Sequence, residues 1–184
     1  MDNVIGKIVD EVVEESSSIF EKYAAHGGDT DSVRRDGHII HATQIDLMRW
    51  QHANFDELDD RNFALGIAEE SGEFSAARNG AQAVDAMGDT AIYLGQLLIA
   101  NRLSLEPMLL NSFPVMPDPR AQSEAVGKLC HVVLKHRQGI RGMGDKSAYR
   151  LNLAHCAIGM CITHGLSATA YLSTAKVVLA RKWR

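Results

Sequence analysis

Between residues 60 and 102 the apolar side chains recur at intervals of three and four, and a carboxylate sits inside the repeat. Phe63, Ile67, Glu70, Phe74 and Ala77 follow 4, 3, 4, 3 spacing, which on a helix turning about 100° per residue places them on one stripe. That period belongs to a helix and not to a strand. Glu69, Glu70 and Glu73 stand at i, i+1 and i+4, so their carboxylates fall within roughly one 100° arc. A second stripe, Val84, Met87, Ala91, Leu94 and Leu98, has Asp85, Asp89 and Ile92 on the row beside it. Both acid sets border a core, where an unpaired carboxylate costs several kcal/mol or gives up its charge.

The same reading, carried along the chain, predicts an all-α fold of six to seven helices. They fall near 3–25, 41–54, 58–79, 82–102, 120–137, 147–164 and 167–183. The breaks are "HGGDTDSVRRDGH", the turn near "RNGAQ", the stretch "SLEPMLLNSFPVMPDPR" and "QGIRGMGDK", each carrying Gly, Pro, Asn or Asp. A length of 184 residues suits one domain. Its expected layout is an N-terminal helix and linker (1–40), an acidic lobe (41–103) and a basic lobe (120–184). The connection 104–119 carries Met108, Leu109, Leu110, Phe113 and Met116, which suggests packing against the body.

Charge divides at that connection. Residues 1–119 hold 8 Lys+Arg and 21 Asp+Glu, whereas residues 120–184 hold 11 and 2. The basic half lacks the interleaved aromatics and recognised motifs of a nucleic-acid binder, so no nucleic-acid partner is expected. Opposite charge in two halves fits a metal-polyphosphate complex, with carboxylates on the cation and Lys or Arg on the phosphate oxygens. No apolar run approaches the roughly 20 residues needed to span a bilayer, and the acidic, amphipathic start lacks the features of a signal peptide. Cys130, Cys156 and Cys161 have no framework spacing and suit a reducing, cytoplasmic setting. Cys156, Cys161 and His164 raise zinc only weakly, because five helical residues turn the two cysteines about 140° apart and no fourth ligand is evident.

A glutamate cluster is ordinarily a solvated helix face, but the core-bordering phase argues against that here. All-oxygen ligation without His or Cys at ligand spacing favours Mg²⁺ or Mn²⁺ over zinc. The absence of a Glu-x-x-His motif counts against a ferritin-like di-iron centre. At these residues the chain resembles the MazG-like all-α nucleotide pyrophosphohydrolases, whose pattern is Glu-Glu-x-x-Glu on one helix and Glu-x-x-Asp on the next. "EESGE" matches the first element. "DAMGDTAIYLGQLL" resembles the second, with Asp89 on its final Asp, Ala86 where the family carries Glu, and Asp85 one position earlier as the expected substitute. "AVGKLCHVVLKHRQGIRG" and "TAKVVLARKW" resemble the family's later segments, so the likeness extends over about residues 41–184.

The resemblance implies a MazG-like helical bundle that hydrolyses a nucleoside triphosphate to the monophosphate and pyrophosphate, with Mg²⁺ as cofactor and homo-oligomers as the assembled form. Glu70, Glu73, Asp85 and Asp89 are then the metal ligands, and Glu69 the acceptor of the attacking water's proton. Gln44, Met48, Gln51 and Phe55 share one helical face with Trp50 nearby, which makes Gln44 and Trp50 candidates for reading a base. Packing is the competing role. Lys128, His131 and Lys135 form one ridge, and Lys176 and Arg181 lie on the last helix. The lysines and Arg181 are candidate phosphate contacts, against a solvated basic face. A dUTP-specific hydrolase of the same superfamily and a catalytically degenerate helical binding protein are the alternatives.

Overall fold

The computed structural model describes residues 30–55, 59–110, 119–140 and 144–181. Seven helices account for them, with no strand among the described residues: α1 (Thr30–Asn54), α2 (Asp60–Ala76), α3 (Gly80–Ala100), α4 (Glu106–Leu110), α5 (Pro119–Arg137), α6 (Lys146–Thr163) and α7 (Ala168–Ala180). The helix expected over 3–25, together with Phe113 and Met116, lies outside this range. Elsewhere the boundaries follow the sequence closely except at two places.

The first exception is α1, which begins at Thr30 and runs through part of the Gly- and Asp-bearing stretch expected to be a linker. Gly37 permits this. A Cβ there would lie 2.2 Å from Oε1 of Glu106, so with a larger residue that carboxylate would have to shift away from the α1 backbone. The second is α4, a short helix inside the proline-bearing connection. It is anchored by Leu105 and Leu109, both buried, and started by the Ser104 hydroxyl, which accepts the Glu106 N–H at 3.3 Å.

Local chemistry sets the other ends. Asp59, Asn79, Asp145 and Ser167 have extended backbones, and their side chains accept the orphan N–H groups of α2, α3, α6 and α7. At α3 the cap is reciprocal, since Gln82 also accepts from the Arg78 N–H at 2.8 Å. Gly139 and Gly165 take left-handed backbones where α5 and α6 stop, and the amides of Ile140 and Leu166 turn back onto the carbonyls of Lys135 and Cys161. α3 ends in the same way on Arg102, a non-glycine with φ 60°, whose carbonyl accepts from Arg150 at 2.7 Å.

α3 is the centre of the bundle. Its residues from Thr90 to Ile99 are buried except Tyr93, which is half-buried, and a helix apolar on nearly every side must be surrounded. α2 packs along it as an antiparallel hairpin partner, α7 covers another side, and α1 lies against α3 and α7. α5 packs on α2, with α6 on α5. Arg137 pairs with Asp59 at 3.2 Å, the Tyr149 hydroxyl donates to Asp60 at 2.7 Å, and His136 stacks on the Tyr149 ring. These contacts fix α5 antiparallel to α2 and α6. The basic helices α5 and α7 therefore pack directly on the acidic helices α2 and α3 in one bundle. Among the described residues no helix is long and apolar enough to cross a membrane.

Candidate functional site

The α2–α3 hairpin sets the acids against each other. A Cβ at Gly66 would lie 2.7 Å from the Tyr93 ring, so the ring rests directly on that glycine. In an antiparallel pair, one helical turn from this contact sets Glu70 opposite Asp89, and the next brings Glu73 opposite Asp85. Glu70 is 8% exposed and Asp89 half-buried, while Glu69, Glu73 and Asp85 are exposed. On the expected stripes Phe63, Ile67, Ala91, Leu94 and Leu98 are buried, Met87 and Phe74 are half-buried, and Val84 faces solvent. Behind Asp89, Gly88 lets α7 approach so closely that a Cβ would meet Thr174 Oγ1 at 1.9 Å.

Electrostatics ties the cluster together. The Glu70 carboxyl is pushed up to about 8, first by burial and then by the charges of Asp89, Glu73, Glu69 and Asp85. Asp89 is pushed up to about 6 by burial and by Asp85 and Glu73, against the opposing pull of Arg181. Tyr93 is raised by burial and by Glu70, Glu69 and Asp89. These shifts describe crowded negative charge in partly dry surroundings, relieved by a neighbouring cation only at Asp89. A hard divalent cation fits such a donor set, being matched to oxygen ligands and to concentrated negative charge. As the side chains stand, no three His, Cys, Asp or Glu among the described residues form a ready ligand group. The arrangement is a charge cluster and not a closed coordination sphere.

Of the other candidates, Arg181 joins the cluster through its effect on Asp89, and Trp50 reaches it indirectly by donating its indole N–H to the Arg181 carbonyl at 2.9 Å. Trp50 also meets Phe55 edge to face, with ring centroids 5.7 Å apart. Gln44 is different. It is fully buried, donates to the Gly95 carbonyl at 2.7 Å and accepts the Leu105 N–H at 3.3 Å, so its amide joins α1 to α3 and to the turn before α4. Lys128 pairs with Glu124 of its own helix at 2.7 Å, and Lys135 donates to Gln138 at 3.1 Å. Lys176 is exposed on α7. Neither Lys128 nor Lys135 is among the charges that shift Glu70 or Asp89.

Two features escaped the sequence reading, the place of Tyr93 among the acids and the contact of His164 with Ser71. Tyr93 belongs to the acid site, and its i, i+4, i+8 relation to Asp89 and Asp85 would have placed it on their row. His164 is buried, with its Nε2 3.4 Å from the Ser71 hydroxyl and its Nδ1 3.1 Å from that of Thr163. Burial pushes its pKa down to about 4, so the imidazole is neutral at physiological pH. No local signal links residues 93 positions apart. Cys161 is fully buried with its thiol pushed up to about 12 by burial, while Cys156 lines a groove between α5 and α6. Comparison of the chain with protein-family models, with curated proteins and with solved structures found no match.

Proposed function

We propose that the chain is a Mg²⁺-dependent nucleoside triphosphate pyrophosphohydrolase, releasing pyrophosphate and a nucleoside monophosphate. One observation carries this reading: the buried Glu70 carboxyl is held at about 8 by burial and four surrounding carboxylates, an arrangement that a divalent cation would relieve. Glu70, Glu73 and Asp89, with Asp85 at the rim, are the residues to hold that ion. Glu73 and Asp85 are exposed, so their side chains keep the rotamer freedom to turn inward. When bound, Mg²⁺ supplies neutralisation of phosphate charge and activation of water.

The chain's own residues have distinct tasks. Glu69, exposed beside Glu70, accepts the proton of the water whose oxygen bonds to phosphorus as the α–β anhydride bond breaks towards pyrophosphate. Arg181, at the edge of the cluster, binds a phosphate oxygen. Trp50, held by the Arg181 carbonyl, offers an aromatic surface near the nucleoside end. Positioning and electrostatics dominate phosphoryl chemistry, so no covalent nucleophile is required. The test is pyrophosphate release from a panel of ribo- and deoxyribonucleoside triphosphates with and without Mg²⁺. Mg²⁺-dependent release from at least one, lost in Glu69→Gln, is expected. No release from any of them leaves the acid cluster to a binding protein.

A further inference from the structure

The junction of α1 with α4 buries polar groups that the acid cluster does not use. Gly37, His41 and Gln44 stand at i, i+4 and i+7 on α1, so they form one ridge of that helix. Both ends of the ridge touch the start of α4. Gly37 lies under the Glu106 carboxylate, and the Gln44 side-chain oxygen accepts the Leu105 N–H at 3.3 Å. His41 stands between these two contacts and therefore faces the same turn. His38, three residues earlier, is on the adjoining row of α1, and its charge acts on both His41 and Glu106.

Bonding capacity at this junction is unmet. Both ring nitrogens of His41 are shut off from solvent, and neither has a hydrogen-bond partner. An imidazole carries a donor and an acceptor, and burying both unmade costs the full desolvation of each. Glu106 is 7% exposed, and burial raises its carboxyl while His38 pulls it back down. Burial and His38 lower the His41 imidazole, which leaves it neutral with a nitrogen lone pair to give. A buried water would satisfy His41 but leave the Glu106 carboxylate without a buried counter-charge. A cation that takes nitrogen and oxygen donors together meets both needs. Mg²⁺ and Ca²⁺ favour all-oxygen shells, whereas two imidazoles and a carboxylate are a recurring donor set for zinc, with water in the fourth place. As the side chains stand, the three do not close into a ligand group, but His38 is exposed and has the rotamer freedom to turn inward.

We propose that His38, His41 and Glu106 form a zinc site that clamps α1 to α4, with two imidazole nitrogens and a carboxylate oxygen on the ion and water completing its shell. The site is separate from the α2–α3 carboxylates in both position and donor type. Untagged full-length protein, titrated with Zn²⁺ against a chromophoric chelator in excess Mg²⁺, is expected to bind an ion here, and Zn²⁺ should raise its thermal unfolding midpoint. His38→Ala changes an exposed side chain and spares the packing. It should weaken zinc binding at least about tenfold and abolish the rise in midpoint, and Glu106→Gln should do the same at nearly constant volume. Asp89→Asn, which alters only the acid cluster, should keep both the affinity and the rise. Absence of zinc binding in wild type would overturn the proposal, as would an affinity unchanged in either His38→Ala or Glu106→Gln. Loss of binding in Asp89→Asn would overturn it too, by assigning the ion to the α2–α3 carboxylates.

Discussion

Replacing Glu70 by glutamine should stabilise the cation-free protein at high pH, although it removes a proposed ligand. Glutamine keeps the volume and loses the ionisation. The native carboxyl sits at about 8 against an ordinary 4.5, first because it is buried and then because four carboxylates surround it. A proton is therefore bound more tightly in the folded state. Its contribution is fully present below pH 4.5 and is lost as pH rises through 8. At about 1.4 kcal/mol per pH unit, the limit of this loss is ~5 kcal/mol. Water screens the exposed rim formed by Glu69, Glu73 and Asp85, and reduces the expected effect to about 1–2 kcal/mol. Urea unfolding in EDTA is the assay. At pH 5 the Glu70→Gln protein should match wild type within about 0.5 kcal/mol, and at pH 8.5 it should be more stable by about 1–2 kcal/mol. A difference between the two proteins that is equal at both pH values would refute the reasoning.

Three further outcomes follow from the placement of single residues. Arg181→Ala should raise the KM for a triphosphate about tenfold, the loss of one charge-assisted contact, while Lys128→Ala, paired with Glu124 on α5, leaves it within about twofold. Equal effects in steady-state kinetics would move the phosphate site to α5. Gln44→Leu should cost about 1–3 kcal/mol for each of the Gly95 carbonyl and Leu105 amide left unpaired, with base preference unchanged. A changed preference at full thermal stability would restore Gln44 as a base reader. Gly88→Ala should destabilise by about 1–3 kcal/mol, because its Cβ meets Thr174 and outweighs the roughly 1 kcal/mol of helix propensity gained. A higher urea midpoint would contradict that packing.

Helical identity was legible because periodicity and caps are local. The stripe through Phe63, Ile67 and Glu70 and the cap residues Asp59, Asn79, Asp145 and Ser167 could be read without knowing any neighbour. The N-terminal extension of α1 was not, because Gly37 reads as a breaker until Glu106, far along the chain, is placed over it. Within the site, the core-bordering phase of Glu70 and Asp89 survived in the structure as burial. For Gln44, spacing leaves a base contact and packing as alternatives, and only α3 shows that its amide is buried against the Gly95 carbonyl. Charge segregation along the sequence suggests two lobes but does not reveal that the basic helices α5 and α7 pack directly on the acidic helices α2 and α3. The Ser71–His164 contact arises wholly from tertiary packing.

The central claim is that the α2–α3 carboxylates form a divalent-cation site, and Mn²⁺ titration followed by electron paramagnetic resonance tests it most directly. Wild-type protein should bind Mn²⁺ more tightly at pH 8.5 than at pH 6, because protons on Glu70 (about 8) and Asp89 (about 6) compete with the ion. Asp89→Asn should weaken that binding at least tenfold, and Asp85→Ala to a lesser degree. Mn²⁺ affinity that ignores both pH and Asp89→Asn, or no binding at pH 8.5, would contradict the assignment.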